Sequence, residues 1–297
     1  MENIISLIGN PGRLDTGIAE QARIALQDCG ATVGETDWLA ATTACDLPFG
    51  HLDIIPANDA VKKSLGNLPV DAVAQPAAGR RKRLLIADME STIIENEMLD
   101  ELANELDIHD RMSAITARAM AGELDFESAI RERVAMLKGM DSKALDRALS
   151  TIRIMPGATV LVATMRANGA HCALVSGGFD FFTGWVRERL GFNEDQANRL
   201  EISNGTLTGR LLDPILGRVA KREALARLTA TLGITETDAI TVGDGANDLD
   251  MLAAAGLGVA FRAKPIVAES ARARIDHGDL TALLYLQGYR QEDFKTP

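Results

Sequence analysis

The stretch Leu84-Leu85-Ile86-Ala87-Asp88-Met89-Glu90-Ser91-Thr92 decides the fold. Four apolar residues in a row, with no alternation, mark a strand buried on both faces, as in a parallel sheet covered by helices. The run then breaks into a polar segment carrying two carboxylates, Asp88 and Glu90. Residues 172–175, 240–242 and 258–260 have the same unalternating character. Two of these runs also end in polar, glycine-bearing segments, Ser176-Gly177-Gly178-Phe179-Asp180 and Gly243-Asp244-Gly245-Ala246-Asn247-Asp248. In open α/β sheets, ligands collect beyond the carboxyl ends of the strands, so all three segments face one crevice. A lone acid after a strand is more often a helix N-cap. Asp244, Asn247 and Asp248 clustered beside glycines, with Asp88 on another strand, point instead to a functional site. Oxygen-rich carboxylate sets suit Mg²⁺.

The rest of the chain bounds the reading. Its 297 residues correspond to about two domains of 150 residues. A 46% hydrophobic composition supplies a substantial core. Net charge is −11, which argues against nucleic acid or an anionic membrane as partner. A phosphate-bearing substrate must therefore be met by local cations or a metal. Three cysteines with no CxxC pair make neither a disulfide framework nor a zinc site. No apolar run reaches about 18 residues, and no basic segment leads into an apolar one at the N-terminus. The expectation is a cytoplasmic protein.

The chain changes character near residue 80. Before it, residues 3–8, 33–39, 44–49 and 71–74 read as strands, and 15–26 and 57–65 as helices. The order β-α-β-β-α-β predicts a small ferredoxin-like α+β unit over 1–78, resembling ACT-type domains in element order. The basic run Arg80-Arg81-Lys82-Arg83 reads as a solvated approach to the next strand. From 79 to 297 the pattern is α/β, with a helical insertion over about 98–156 between the first two core strands. Asn204-Gly205 predicts a hairpin turn.

Within the insertion, Asp125 reads as an N-cap and residues 126–138 as a helix closed by Gly139. At about 100° per residue, Phe126, Ile130, Val134 and Leu137 form one apolar stripe, and Arg133 falls within about 20° of Phe126. A guanidinium on such a face needs an anionic partner, either a ligand or a carboxylate of the insertion itself. Glu97 lies off the Met98/Leu102/Leu106 stripe and reads as a first-turn helix acid.

These segments resemble the motifs of the haloacid-dehalogenase-like phosphatases, and within them the phosphoserine phosphatases. The family pattern is Asp-x-Asp-Ser-Thr, then Ser-Gly-Gly, then a Lys followed by Gly-Asp-Gly-x-Asn-Asp. Here Lys221 stands 23 residues before Asp244, in the family's placement. The resemblance implies a Rossmann-like core with a helical cap, and Mg²⁺-dependent hydrolysis of O-phospho-L-serine, the last step of serine synthesis. It implies Asp88 as nucleophile, forming an aspartyl-phosphate, and Glu90 as general acid and base. Mg²⁺ would rest on the Asp88 carboxylate, the Glu90 carbonyl and Asp244. Ser176, Gly177, Lys221 and Asn247 would receive the phosphate, with Asp248 supporting Lys221 or a metal-bound water. Arg133 would grip the substrate carboxylate and Glu97, nine residues after Asp88, its ammonium. Met120 and Phe126 would line the pocket. A homodimer is compatible with this reading.

The chain departs from the pattern at Glu90, where the family carries Asp. Its extra methylene moves the proton donor by roughly 1 Å, a displacement that can cost about 10²-fold in rate. Two other readings therefore stay open: phosphoryl transfer to another small alcohol such as homoserine, and an amino-acid sensor with a slowed phosphatase half. No GxGxxG joins a strand to a helix, so a dinucleotide enzyme is excluded. A P-type ATPase is excluded by the absence of membrane spans.

Overall fold

A computed structural model of the chain describes residues 1–120 and 123–296. The N-terminal part runs β1 (Asn3–Gly9), α1 (Thr16–Asp28), β2 (Thr32–Val33), β3 (Asp37–Ala40), β4 (Ala44–Gly50), α2 (Ile54–Leu65) and β5 (Val70–Pro76). β1 lies between β4 and β5 and pairs antiparallel with both. This is the expected βαββαβ order, except that the second strand is broken into β2 and β3, which pair successively along β4. One sheet face buries Ile5, Leu7, Leu47 and Phe49 against Ala22, Leu26 and Val61 of the two helices. The other face sends Ile8, Ala44 and Val73 into the large core cluster that also contains Leu283 and Tyr285. Both faces are therefore covered.

The remainder is built on β6 (Leu84–Ala87), followed by α3 (Met98–Glu105), α4 (His109–Met120), α5 (Phe126–Ala135), α6 (Lys143–Leu149) and α7 (Ala158–Ala167). Then come β7 (His171–Phe179), α8 (Asp180–Leu190), β8 (Glu194–Ser203), β9 (Thr206–Leu212) and α9 (Arg218–Leu232). The chain closes with β10 (Ala239–Gly243), α10 (Leu249–Ala254), β11 (Leu257–Phe261), α11 (Pro265–Ser270), β12 (Ala273–Ile275) and α12 (Ala282–Leu286). The sheet order is β12-β11-β10-β6-β7-β8-β9, parallel except for the β8–β9 hairpin, which turns at Asn204-Gly205 as expected. The chain adds β7 and β8 on one side of β6 and β10 to β12 on the other. The crevice therefore opens at the carboxyl ends of β6 and β10. Leu84, Ile86, Ala173 and Val175 face α9 and α10, whereas Leu85, Ala87, Cys172 and Leu174 face the opposite cluster.

The helices α3 to α6 form the cap. Its two connections to the core run side by side, with Glu95 N–H donating to Arg153 O at 2.8 Å and Met155 N–H to Ile93 O at 2.9 Å. The α5 helix is shorter than its periodicity predicts, ending at Ala135, with a turn carrying the chain to Gly139. The basic run is solvated only in part: Arg81 and Arg83 are exposed, whereas Arg80 and Lys82 are half-buried. Arg80 pairs with buried Asp46 at 2.7 Å, Arg81 lies 3.7 Å over the Tyr289 ring, and Lys82 donates to Thr237 O at 2.8 Å. These partners of Arg80 and Lys82 lie 34 and 155 residues away, and local charge count does not show them. Among the described residues, no helix is long and apolar enough to cross a membrane.

Candidate active site

Asp88 follows β6 directly, and its N–H donates to Val242 O at 3.0 Å, so the ladder to β10 fixes it beside Asp244. It is buried. Lys221, from the first turns of α9, reaches it with Nζ 2.8 Å from Asp88 Oδ1 and 2.5 Å from Asp248 Oδ1. Burial alone would discharge this ammonium, but Asp88 and Asp248 outweigh it and hold Lys221 protonated. Burial and Asp88 push the Asp248 carboxyl up to about 7, against the pull of Lys221. Two buried carboxylates thus share one buried ammonium. Removing the ammonium from such a group leaves uncompensated buried carboxylates, at a cost of about 3–5 kcal/mol.

The glycines of the third motif have a steric reason. A Cβ on Gly243 would lie 2.3 Å from the Asp248 carboxyl carbon, and one on Gly245 would lie 2.4 Å from Asn247 Oδ1. The Gly245 N–H also donates to Asp248 Oδ2 at 3.0 Å. The loop therefore wraps around the side chains that it carries. Carboxylate oxygens of Asp88, Asp244 and Asp248 lie within 4.8 Å of one another. Three buried carboxyl groups so close to one buried lysine fit a divalent cation, and the donors are the hard oxygens that Mg²⁺ takes.

Across the crevice, β7 runs on through the second motif. Ser176 is buried, and its Oγ accepts the Gly178 N–H at 2.9 Å, which leaves the hydroxyl hydrogen free to donate. Asn198 fixes the same segment, donating to Gly177 O at 2.8 Å and Leu216 O at 3.2 Å while accepting Leu216 N–H at 2.6 Å. Sequence reasoning missed Asn198, which lies inside an otherwise ordinary polar strand.

Glu90 is half-buried where core meets cap. Its Oε1 accepts the N–H of Met98, the first residue of α3, at 2.8 Å, and its carboxyl lies against Gly178, where a Cβ would be 3.0 Å from Oε2. Burial and the nearby Glu97 push this carboxyl up to about 8. Glu97 is the N-cap residue of α3 but does not cap it. It accepts the Ser91 hydroxyl at 2.8 Å, and burial raises its carboxyl too. Ser91 holds a left-handed backbone, φ 54°. The two glutamates have exchanged tasks: the core acid caps the cap helix, and the cap residue faces the core.

Arg133 satisfies the cap-carboxylate alternative in part. It donates to Asp100 Oδ1 at 3.1 Å, yet its Nε is buried with no partner among the described residues. Phe126 does not lie in the cap's core with Ile130, Val134 and Leu137; it is 41% exposed, its ring against Gly177 and Gly217 at the cap–core seam. The Met120 side chain lies outside the described residues. Asn247 is half-buried beside Asp248. Lys264, which the sequence reading did not single out, arrives on the loop after β11 with Nζ 3.3 Å from Asp244 Oδ2.

Residues 85–253 match the haloacid dehalogenase-like hydrolase family. A phosphoserine phosphatase of Streptomyces coelicolor is 38% identical over 98% of this chain and 72% of its own length. The structure of a probable phosphoserine phosphatase from Vibrio cholerae superposes with a TM-score of 0.80 at 30% identity, covering 98% of this chain and 88% of that one. A substrate-bound phosphoserine phosphatase complex superposes with a TM-score of 0.65 at 38% identity, covering 69% of this chain and 98% of that one. With buried Asp88 and Lys221 and the acidic triad at the strand ends, the chain belongs to the haloacid dehalogenase-like hydrolases, and within them to the phosphoserine phosphatases.

Proposed function

We propose that this protein hydrolyses O-phospho-L-serine to serine and inorganic phosphate with Mg²⁺, through an aspartyl-phosphate on Asp88, as the last step of serine synthesis. The observation that carries the reading is the buried Asp88–Lys221–Asp248 group beside Asp244, 2.8 and 2.5 Å between charged atoms. Asp88, Asp244 and the Glu90 carbonyl would hold Mg²⁺, with Asp248 close enough to support it. When bound, the ion neutralises charge developing on the phosphoryl oxygens. Asp88 supplies the oxygen that bonds to phosphorus as the seryl C–O–P bond breaks at phosphorus. Lys221, the Ser176 hydroxyl, the Gly177 N–H and Asn247 take the phosphoryl oxygens. Glu90, protonated near neutral pH by its surroundings, gives its proton to the departing seryl oxygen. The resulting carboxylate then takes a proton from the water that attacks phosphorus, which frees Asp88.

At the cap side, the unpartnered Arg133 Nε offers a donor to the substrate carboxylate, and Glu97, steadied by Ser91, offers a carboxylate to its ammonium. Phe126 closes the pocket over Gly177, and Met120 belongs to the same wall by motif. On this reading the chain is organised as an ACT-like unit (1–78) and a phosphatase unit (79–297) with its cap at about 98–156, working in the cytoplasm, and is compatible with a homodimer. The test is release of inorganic phosphate from phosphoserine with and without Mg²⁺, in the presence and absence of alcohols such as homoserine. Metal-dependent release that alcohols do not divert supports hydrolysis; diversion to the alcohol means transferase chemistry, and no turnover means a sensor. Labelled substrate should leave hydroxylamine-sensitive label on Asp88.

A further inference from the structure

We propose that Lys264 is the counter-ion that Asp244 holds while no divalent cation is bound, and that it must give up this place for the cation to enter. The two cations of the site are built differently. Lys221 is 2% exposed and locked between Asp88 and Asp248. Lys264 is 57% exposed and makes a single, longer contact, 3.3 Å to Asp244 Oδ2. Among the described residues this is the only ion pair of Asp244, whose own side chain is 8% exposed. Asp244 is thus a nearly buried carboxylate whose one cationic partner stands at the solvent side and can leave.

The backbone keeps that partner within reach in both situations. The Lys264 N–H donates to the Asp244 carbonyl oxygen at 3.0 Å, and Pro265 starts α11 directly afterwards. The main chain at 264 is therefore tied to the main chain at 244, whereas the four-carbon side chain can rotate. A cation entering among Asp88, Asp244 and Asp248 competes for the same Asp244 carboxylate that Lys264 pairs with, and it is repelled by the ammonium while that stays. An ion pair of this exposure is weak enough to exchange. The site thereby avoids a bare buried carboxylate without metal and does not block the metal's arrival. Lys264 acts through Asp244 and is a positioning residue.

The inference rests on the reading of Asp244 as a metal ligand, and the experiment separates the two. Mg²⁺ is titrated calorimetrically into the full-length wild type, Lys264→Met, Lys264→Arg and Asp244→Asn, with no substrate present. Lys264→Met should bind Mg²⁺ about fivefold more tightly, roughly the factor that such an ion pair is worth, and Lys264→Arg should stay near wild type. In chelator, Lys264→Met should melt below the wild type, and saturating Mg²⁺ should remove most of that difference. Unchanged or weaker Mg²⁺ binding by Lys264→Met, or a Tm deficit that Mg²⁺ leaves intact, overturns the proposal. If Asp244→Asn binds Mg²⁺ as the wild type does, the ligand reading fails and takes the inference with it.

Discussion

Glu90 accepts the Met98 N–H of α3 with Oε1, and its whole carboxyl group lies beside Gly178. Glu90→Gln keeps the size and the backbone carbonyl but cannot readily donate a proton. Turnover of phosphoserine should fall by about 10²- to 10⁴-fold while calorimetric Mg²⁺ binding persists. If turnover stays near wild type, another carboxylate carries the proton, with Asp248 the first to test. The same residue sets a pH dependence of stability. A carboxyl raised from 4.5 to about 8 keeps in the folded chain a proton that the unfolded chain has lost. Its contribution is full below the unfolded value and fades as pH climbs through the folded one. In chelator, the Tm of Glu90→Gln relative to wild type should therefore rise between about pH 5 and pH 9; a constant difference would contradict the assignment. Arg133→Ala should lower kcat/KM for phosphoserine by several kcal/mol and affect p-nitrophenyl phosphate much less, since only the former has a carboxylate to lose. Equal losses on both would make Arg133 structural. Most residues at this scale were legible because each follows an unalternating apolar run at a motif spacing. Lys264 was not, because its nearness to Asp244 depends on β11 lying beside β10, and nothing local records that pairing.

At the scale of elements, β7 is the clearest lesson. Its apolar run ends at Val175, yet the strand continues through Ser176-Gly177-Gly178 to Phe179, with a break in its register against β8 over these residues, so the segment proposed to take the phosphate is an irregular strand end. Gly178 has no positive φ, and the atoms nearest an added Cβ are those of the Glu90 carboxyl, at the far end of a side chain that can give way. Gly178→Ala should leave Tm within about 1 °C of wild type but displace the acid and cut kcat, with KM nearly unchanged, as steady-state kinetics would show. A fall in Tm with kcat intact would mean that the segment is structural alone. The cap helix α5 was legible from its N-cap, and Asp125 does accept the Ser128 N–H at 2.6 Å. The fate of Phe126 was not. Helical periodicity places it with Ile130 and Val134, but a first-turn residue projects past the cap's own core, and the seam with Gly177 and Gly217 receives it.

At the scale of the whole molecule, the N-terminal sheet is held to the rest by polar groups as well as by its apolar face. Arg80 spans Asp46 of β4, Ser6 of β1 and the carbonyls of Tyr285 and Leu286 at the end of α12. Arg80→Ala would strand Asp46, a nearly buried carboxylate, and should cost about 3 kcal/mol, measurable by urea unfolding. A loss below about 1 kcal/mol would show that water replaces the guanidinium. The sequence carried the order of elements in this half but not its docking, since a charge run looks the same whether solvent or a distant strand receives it. Asp71 on β5 accepts the N–H groups of Asp276, His277 and Gly278 at 2.8, 3.1 and 2.8 Å. Shortly beyond, Leu280 N–H reaches Pro156 O, and Gly157 packs so closely that a Cβ would meet Thr281 N at 2.6 Å. Pro156 and Gly157 are where the chain leaves the cap. A chain cut back to residue 79 would keep every motif but lose the Asp71 carboxylate that gathers three N–H groups at 276–278, so the turn on which the cap's exit rests would have to find other acceptors for them.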